Sequence, residues 1–181
     1  MTFENTHQRS TRWSVITGAP CSGKTAVIHM LQQRGYQVVH EVARALIDNE
    51  LRKGKTLPEI KAAEWAFERR ILMEKVRIES ALKKDEIIFF DRGIPDSIAY
   101  YKLNGLDPAE PFQKSGEVRY QNVFLFERLR FLTDPVRSEN EKTARRLGRL
   151  IAESYQSLGY DLIRVPLLGV EERTEFVLER L

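Results

Sequence analysis

The sequence predicts a three-layer α/β fold, in which a five-stranded parallel sheet carries helices on both faces. Short apolar runs alternate with segments of helical periodicity along the 181 residues, which is the pattern of successive βαβ units. A glycine-rich loop joins the first predicted strand to the first predicted helix. No linker, repeat or low-complexity tract interrupts the chain, so residues 1–181 are predicted to form a single domain.

The first half of the chain has the pattern of two strands and three helices. In order, they are predicted at residues 13–17 (strand), 25–34 (helix), 36–40 (strand), 41–52 (helix) and 58 to about 84 (helix). Both strands are short runs rich in β-branched residues. Gly35 ends the first helix in the manner of a C-cap, and Pro58 suits the first turn of the third. That third helix has apolar residues at near-helical spacing, with Lys and Glu on its other face.

The second half continues the alternation. Its predicted elements are residues 87–90 (strand), 95–103 (helix), 105–116 (loop), 123–126 (strand), 139–158 (helix), 160–165 (strand) and 170–181 (helix). The run Ile87–Phe90 is apolar throughout, as expected of a parallel strand that is buried on both faces. Gly159 ends the strongly charged helix before the last strand.

Composition indicates a soluble globular protein and limits its partners. The net charge is only +3, from 29 Lys and Arg against 26 Asp and Glu, so nucleic acid is not an expected partner. The single cysteine, Cys21, excludes an internal disulfide. No apolar run reaches the ~18 residues of a membrane span, and residues 1–11 have no apolar signal segment. The expected location is therefore the cytoplasm.

The glycine-rich loop has the pattern G-x-x-x-x-G-K-[ST] and is predicted to bind a nucleoside triphosphate. The nucleotide-binding residues are predicted to be Gly18, Ala19, Pro20, Cys21, Ser22, Gly23, Lys24, Thr25 and Ala26. Gly18 and Gly23 permit backbone conformations that turn N–H groups toward a phosphate, and the following helix adds its dipole. Lys24 is expected to reach the β- and γ-phosphates, and Thr25 to bind Mg²⁺. Cys21 is interpreted as a tolerated small residue, not a redox centre.

A carboxylate follows each of two predicted strands. Asp91 ends the third strand, where it can hold Mg²⁺ opposite Thr25; the alternative is that it caps the helix near Pro95. Glu41 follows the second strand. Because ligands bind outside the carboxyl ends of parallel strands, Glu41 can serve as general base toward an acceptor hydroxyl. Its alternative role is to favour the first turn of its own helix.

A basic segment at residues 128–149 is a candidate lid. Its cations are Arg128, Arg130, Arg137, Lys142, Arg145, Arg146 and Arg149. Cationic side chains that close over a γ-phosphoryl group stabilise the charge of the transition state. Arg137, Arg145 and Arg146 are therefore catalytic candidates. The alternative is a solvated helix in which the cations pair with neighbouring glutamates.

These motifs together resemble a family of single-domain P-loop proteins under an AAA-type ATPase heading, which look similar to bacterial nicotinamide-riboside kinase and other nucleoside-kinase-like proteins. The matching stretches are residues 17–25, 41–44, 89–97, 134–137, 157–160 and 166–173. The resemblance implies a P-loop NTPase fold with strand order 2-3-1-4-5. The Asp91-Arg92 pair resembles that of nucleoside and nucleotide kinases, in which the arginine approaches the acceptor or the moving phosphoryl group. A structural ion pair is the alternative role for Arg92.

Three functions are compatible with these motifs. The favoured one is an ATP- and Mg²⁺-dependent kinase that phosphorylates a small nucleoside-like or metabolite acceptor. The second is an ATPase or nucleotide-dependent switch that acts on a protein partner, and the third, a nucleic-acid-associated P-loop protein, is disfavoured by the modest charge. The chain ends with the helix that completes its sheet, so a monomer or dimer is expected instead of a ring motor. The acceptor and the choice between ATP and GTP stay open.

Overall fold

The structure is a computed structural model, and it describes residues 9–127 and 141–181. Its elements are β1 (Arg9–Ser10), β2 (Trp13–Thr17), α1 (Lys24–Gln33), β3 (Gln37–Val39), α2 (Val42–Arg52), α3 (Leu57–Lys61), α4 (Glu64–Ala81), β4 (Ile88–Asp91), α5 (Ile94–Leu103), α6 (Ala109–Ser115), β5 (Val118–Arg119), β6 (Asn122–Phe126), α7 (Glu141–Ser157), β7 (Leu162–Val165) and α8 (Val170–Leu178). Within the described ranges, no helix has the length and apolar character needed to cross a membrane.

Five parallel strands form the main sheet, in the order β3-β4-β2-β6-β7. Numbered along the chain within this sheet alone, the order is 2-3-1-4-5, as the family resemblance implies. The predicted α/β class, with helices on both faces of a five-stranded parallel sheet, is confirmed. The short strands β1 and β5 form a separate parallel pair, which was not predicted because two residues carry no periodic signal.

Alternate residues of β2 enter two different cores. Trp13 and Val15 pack with residues of α5 and α7 on one face of the sheet, whereas Ile16 packs with residues of α1 and α8 on the other. Side chains alternate along a strand, so a strand covered on both faces needs apolar residues at successive positions. This explains why the central strands read as continuous apolar runs.

Two predicted elements differ from the structure. The helix predicted from residue 58 to about 84 is divided into α3 and α4, because Ala63 leaves the helical region with φ −112° and ψ 82°. The predicted loop at 105–116 contains helix α6. Pro111 is compatible with the first turn of this helix, where a backbone N–H has no helical partner. Two hydrogen bonds from Arg69 to Glu110, each 3.0 Å, join α6 to α4.

The topology brings the predicted functional residues to one edge of the sheet. The P-loop follows β2, Glu41 follows β3, and Asp91 is the last residue of β4. These three strands are neighbours in the sheet, and all run in the same direction. Their carboxyl ends therefore form the crevice in which open parallel sheets bind ligands.

Candidate functional site

The P-loop, residues 18–25, turns tightly between β2 and α1. Gly18 and Gly23 have φ values of 136° and 79°. A Cβ atom on Gly18 would overlap the carbonyl oxygen of Phe126, and one on Gly23 would lie 2.8 Å from Nη1 of Arg173. Both positions therefore require glycine. Cys21 also has a positive φ, 59°.

Lys24 lies folded against the loop. Its Nζ donates hydrogen bonds to the carbonyl oxygen of Ala19 at 2.9 Å and to Oγ of Ser22 at 3.0 Å, and the residue is buried. Residues 21–26 line a cavity of about 560 Å³, the P-loop cavity, which Glu41 and Asp91 also line. Gly18, Ala19 and Pro20 are buried and do not line this cavity.

Arg173 of α8 supports the P-loop from a distant part of the chain. Its Nη1 donates to the carbonyl oxygen of Ser22 at 2.9 Å, and its guanidinium lies 5.5 Å from the ring centroid of Phe126. Burial lowers the pKa of Arg173. The sequence pattern gave Arg173 no role of its own, because its hydrogen-bond partner Ser22 lies 151 residues earlier. It belongs to the 166–173 stretch that carried the family resemblance.

Thr25 and Asp91 meet across the P-loop cavity and fit a magnesium ion. Oγ1 of Thr25 donates to Oδ2 of Asp91 at 3.1 Å. Oδ1 of Asp91 is buried and has no hydrogen-bond partner among the described residues, and burial, with the nearby Glu41, raises the pKa of this carboxyl. A buried carboxylate oxygen is costly unless a donor or cation satisfies it. Hydroxyl and carboxylate oxygens are the ligands that Mg²⁺ takes in such sites.

The turn after Asp91 bears on the alternative in which Asp91 caps the following helix. The N-cap of α5 is Gly93, whose N–H donates to Oδ2 of Asp96 at 3.0 Å. Asp96 therefore caps α5, and Asp91 does not. Asp96 is fully buried and also accepts hydrogen bonds from Thr17 and Tyr155, both at 2.6 Å.

Arg92 joins the P-loop to the residues around it. The residue has a φ of 73°, and its Nη1 donates to the carbonyl oxygen of Gly18 at 3.1 Å. The guanidinium forms ion pairs with Glu41 at 3.3 Å and with Asp96 at 3.2 Å. Its Nη2 is buried and has no partner in the described ranges. The structural ion pair that was the alternative role for Arg92 is therefore present. Arg92 also lines a second cavity.

This second cavity, the side cavity, has a volume of about 400 Å³ and lies among α2, α4, α5 and α7. Its apolar wall consists of Ile47, Phe67, Ile71, Tyr100 and Leu103. Glu41, Arg44 and Arg92 form part of its polar wall. Glu41 and Arg44 also line the P-loop cavity, so the two cavities adjoin at these residues.

The two neighbouring lid arginines occupy different environments. Arg146 lines the side cavity. Arg145 forms an ion pair with Glu141 at 2.5 Å, and its side chain is 73% exposed, so Arg145 has the solvated environment of the alternative interpretation. Arg137 and the rest of the lid up to residue 140 lie outside the described residues.

A buried polar network behind the Arg92–Gly93 turn was not predicted. The hydroxyl of Tyr120 accepts from the N–H of Ile94 at 3.1 Å and donates to Oε1 of Glu79 at 2.6 Å. Nζ of Lys75 donates to the carbonyl oxygen of Gly93 at 2.8 Å. Glu68, Lys75 and Glu79 are all buried and recur at helical spacing on α4. That spacing was the available signal, but charged residues on a helix usually face solvent.

Glu79 makes folding stability depend on pH. Burial raises the pKa of its carboxyl from the ordinary 4.5 to about 7, so the folded state binds this proton more tightly than the unfolded state. The resulting stabilisation is present below pH 4.5 and is lost as pH rises through about 7. At ~1.4 kcal/mol per pKa unit, the loss is roughly 3 to 4 kcal/mol. Glu79→Gln should therefore gain stability relative to wild type between pH 5 and pH 8.

Urea unfolding at pH 5 and pH 8 measures this difference. Glutamine keeps an oxygen that can accept from Tyr120, so the comparison isolates the titration. The control is Glu179→Gln, since the Glu179 side chain is 70% exposed and its replacement should produce no such change with pH. A Glu79→Gln effect of the same size at both pH values would contradict the prediction.

Comparison with known proteins agrees with this fold. The model of a family described as "AAA domain" matches residues 13–173, and none of the curated proteins matches in sequence. Deoxyadenosine kinase from M. mycoides, solved with the products dCMP and a flexible dCDP, is 16% identical, covers 92% of this chain and 97% of its own length, and has a TM-score of 0.67. Thymidylate kinase from Ehrlichia chaffeensis is 17% identical over 94% of this chain and 97% of its own, with a TM-score of 0.59.

A third similar structure is longer than this chain. The NadR protein in complex with NR is 14% identical and has a TM-score of 0.70, over 98% of this chain but only 52% of its own length. At such identities these likenesses establish the fold, which is that of P-loop kinases.

Proposed function

Because the chain belongs to the AAA domain family and has the P-loop kinase fold, we propose that it is a kinase that transfers the γ-phosphoryl group of Mg·ATP to a small acceptor. The observation that carries this proposal is the junction of the two cavities at Glu41 and Arg44. ATP in the P-loop cavity and an acceptor in the side cavity would meet there. Hydrolysis by water would need only the first cavity.

The P-loop side of the junction would bind the nucleotide. The backbone N–H groups of residues 21–25 and the N-terminus of α1 would hold the phosphates, with Lys24 on the β- and γ-phosphates. A Mg²⁺ ion held by Thr25 and Asp91 would neutralise charge on the phosphate oxygens. Arg173 would keep the loop in shape through its bond to Ser22.

Glu41 would act as the general base. It is the N-cap of α2, and its side chain, 12% exposed, is oriented by the ion pair with Arg92. The acceptor hydroxyl would transfer its proton to Glu41 while its oxygen bonds to the γ-phosphorus. The bond from that phosphorus to the bridging oxygen of ADP breaks, and ADP leaves. Arg92 and Arg146 would stabilise the negative charge of the transferring group.

The side cavity suits a nucleoside-like acceptor. Its apolar wall includes the aromatic rings of Phe67 and Tyr100, which favour a flat ring. About 400 Å³ falls within the range of small-molecule sites. The bound products of the similar deoxyadenosine kinase, dCMP and dCDP, support the same acceptor class.

Incubation with Mg·ATP and a mixture of nucleosides, nucleotides and vitamins tests the function. Mass spectrometry should find one phosphorylated product, in amounts equal to the ADP released. Robust ADP release without any phosphorylated acceptor would contradict a kinase and favour an ATPase or a nucleotide-dependent switch.

Arg146 and Arg145 provide a matched pair of variants. Arg146→Ala removes a cation from the side cavity and should lower kcat by about tenfold, more than it raises KM, because such a cation acts mainly in the transition state. Arg145→Ala removes an exposed, paired cation and should change kcat by less than about twofold. Steady-state kinetics with the identified acceptor measures both. Equal effects of the two substitutions would show that these arginines of α7 only face solvent and do not stabilise the transition state.

A further inference from the structure

Lys75 is a buried lysine whose hydrogen bonds are incomplete. It lines the side cavity and is 6% exposed. Its Nζ donates to the carbonyl oxygen of Gly93 at 2.8 Å and to Oγ of Ser97 at 3.2 Å. An ammonium group has three N–H donors, so the described residues supply one acceptor fewer than Lys75 can use. A buried cation is costly unless its donors are satisfied.

Arg92, which lines the same cavity, also has a nitrogen whose N–H donors lack an acceptor among the described residues. Its Nη2 is buried and lacks a partner among the residues described, while its other nitrogens bind Glu41, Gly18 and Asp96. Gly93 directly follows Arg92, and Ser97 directly follows Asp96. The partners of Lys75 and Arg92 are therefore adjacent in the chain, and both cations line one end of the side cavity, beside Glu41.

The surrounding charges favour a neutral ligand at this end. Glu41 and Asp96 form ion pairs with Arg92. Burial lowers the pKa of Lys75, whereas the nearby Asp96 and Glu68 favour its charged form. Glu68 also lines the cavity. The two cations are thus balanced by at least as many carboxylates. A hydroxyl oxygen can accept their N–H groups without adding a further negative charge.

We propose that Lys75 and Arg92 form a donor pair that binds a second oxygen of the acceptor, beside the hydroxyl that receives the phosphoryl group. The acceptor is accordingly a polyol, such as the sugar of a nucleoside, and not a molecule with a single reactive oxygen. This inference rests on the proposed kinase function. It makes Lys75 a specificity-determining residue, in addition to its contact with the Gly93 turn.

The test compares ribonucleosides with their 2′,3′-dideoxy counterparts. Phosphorylation of the four common ribonucleosides and of the dideoxy set by Mg·ATP gives two values of kcat/KM for each base. Wild type should prefer the ribonucleoside by about tenfold or more. Lys75→Met keeps most of the length of the side chain but removes its donors, so it should reduce that preference to about twofold, mainly by raising KM for the ribonucleoside.

Two further variants separate recognition from folding. Lys61→Met removes an exposed lysine that lines the same cavity, and it should leave the preference unchanged. Lys75→Arg retains donors and should recover part of the preference. Melting temperature and Mg·ATP affinity establish that each variant is folded. If Lys75→Met lowers kcat/KM for both sets by the same factor, Lys75 only supports the turn, and the proposal is wrong.

A binding measurement distinguishes failure of this inference from failure of the kinase function. Calorimetric titration of both nucleoside sets, in the presence of a non-hydrolysable ATP analogue, needs no phosphoryl transfer. If wild type binds ribonucleosides more tightly, Lys75→Met loses this preference and no phosphorylated product forms, the donor pair is supported. The same result would overturn the proposed kinase function. Equal binding of both sets by wild type, or tighter binding of nucleoside monophosphates than of nucleosides, would overturn the donor pair. Absence of nucleoside binding would overturn it as well.

Discussion

Replacing Lys24 with alanine is expected to abolish phosphoryl transfer, with kcat reduced by roughly 10³-fold or more. The substitution removes the cation that would contact the β- and γ-phosphates, where charge develops in the transition state. It leaves the glycines that shape the P-loop and the Thr25–Asp91 pair in place. Acceptor phosphorylation and calorimetric titration with Mg·ATP measure the two consequences, loss of turnover and weaker binding.

The control for Lys24 is an exposed lysine at the opposite edge of the sheet. Lys83 has a side chain that is 76% exposed and paired with Glu86, and its carbonyl oxygen accepts a hydrogen bond from Trp13, the first residue of β2. Lys83→Ala should leave turnover and affinity at wild-type values. If Lys24→Ala also retained wild-type turnover and affinity, the P-loop would have no role in the reaction.

The parts of the site that the sequence could predict are those fixed by local geometry. The P-loop pattern carries its own backbone requirements, and the Cβ overlaps at Gly18 and Gly23 give their physical reason. The positions of Glu41 and Asp91 follow from a simple rule, because residues after neighbouring parallel strands share one edge of the sheet. Apolar continuity was sufficient to identify the strands that set this geometry.

The parts that could not be predicted depend on contacts between distant segments. Lys75 and Glu79 occur in a helix with many exposed charges, and only the packing of α4 against α5 shows that these two are buried. Arg145 and Arg146 are adjacent and chemically identical, so their different environments follow from the rotation of α7, which helical periodicity alone cannot assign. Arg173 contacts Ser22 only because the fold places α8 next to the P-loop.

Glu41→Gln is expected to separate acceptor phosphorylation from nucleotide binding. Glutamine retains the size of glutamate and an oxygen that can accept from Nε of Arg92, which now binds Oε1 of Glu41 at 3.3 Å. It cannot accept the proton of the acceptor hydroxyl. Phosphorylation should therefore fall by the ~10²–10⁴-fold typical of a lost general base. Steady-state rates of ADP release and of product formation, measured with the identified acceptor, test this directly.

The affinity for Mg·ATP should not fall in this variant. The negative charge of Glu41 contributes to the raised pKa of Asp91, so its removal makes the ionised form of Asp91 easier to reach and preserves the carboxylate that would hold Mg²⁺.

The matched control is Glu64→Gln, because Glu64 also lines the side cavity but is exposed. The phosphorylation rate of this variant should change by less than about threefold. Slow hydrolysis of ATP by water should persist in both variants, since it needs no base at the acceptor hydroxyl. A pure ATPase would behave differently: Glu41→Gln would change hydrolysis itself or nothing. Equal loss of phosphorylation in the Glu41 and Glu64 variants would contradict the general-base role of Glu41.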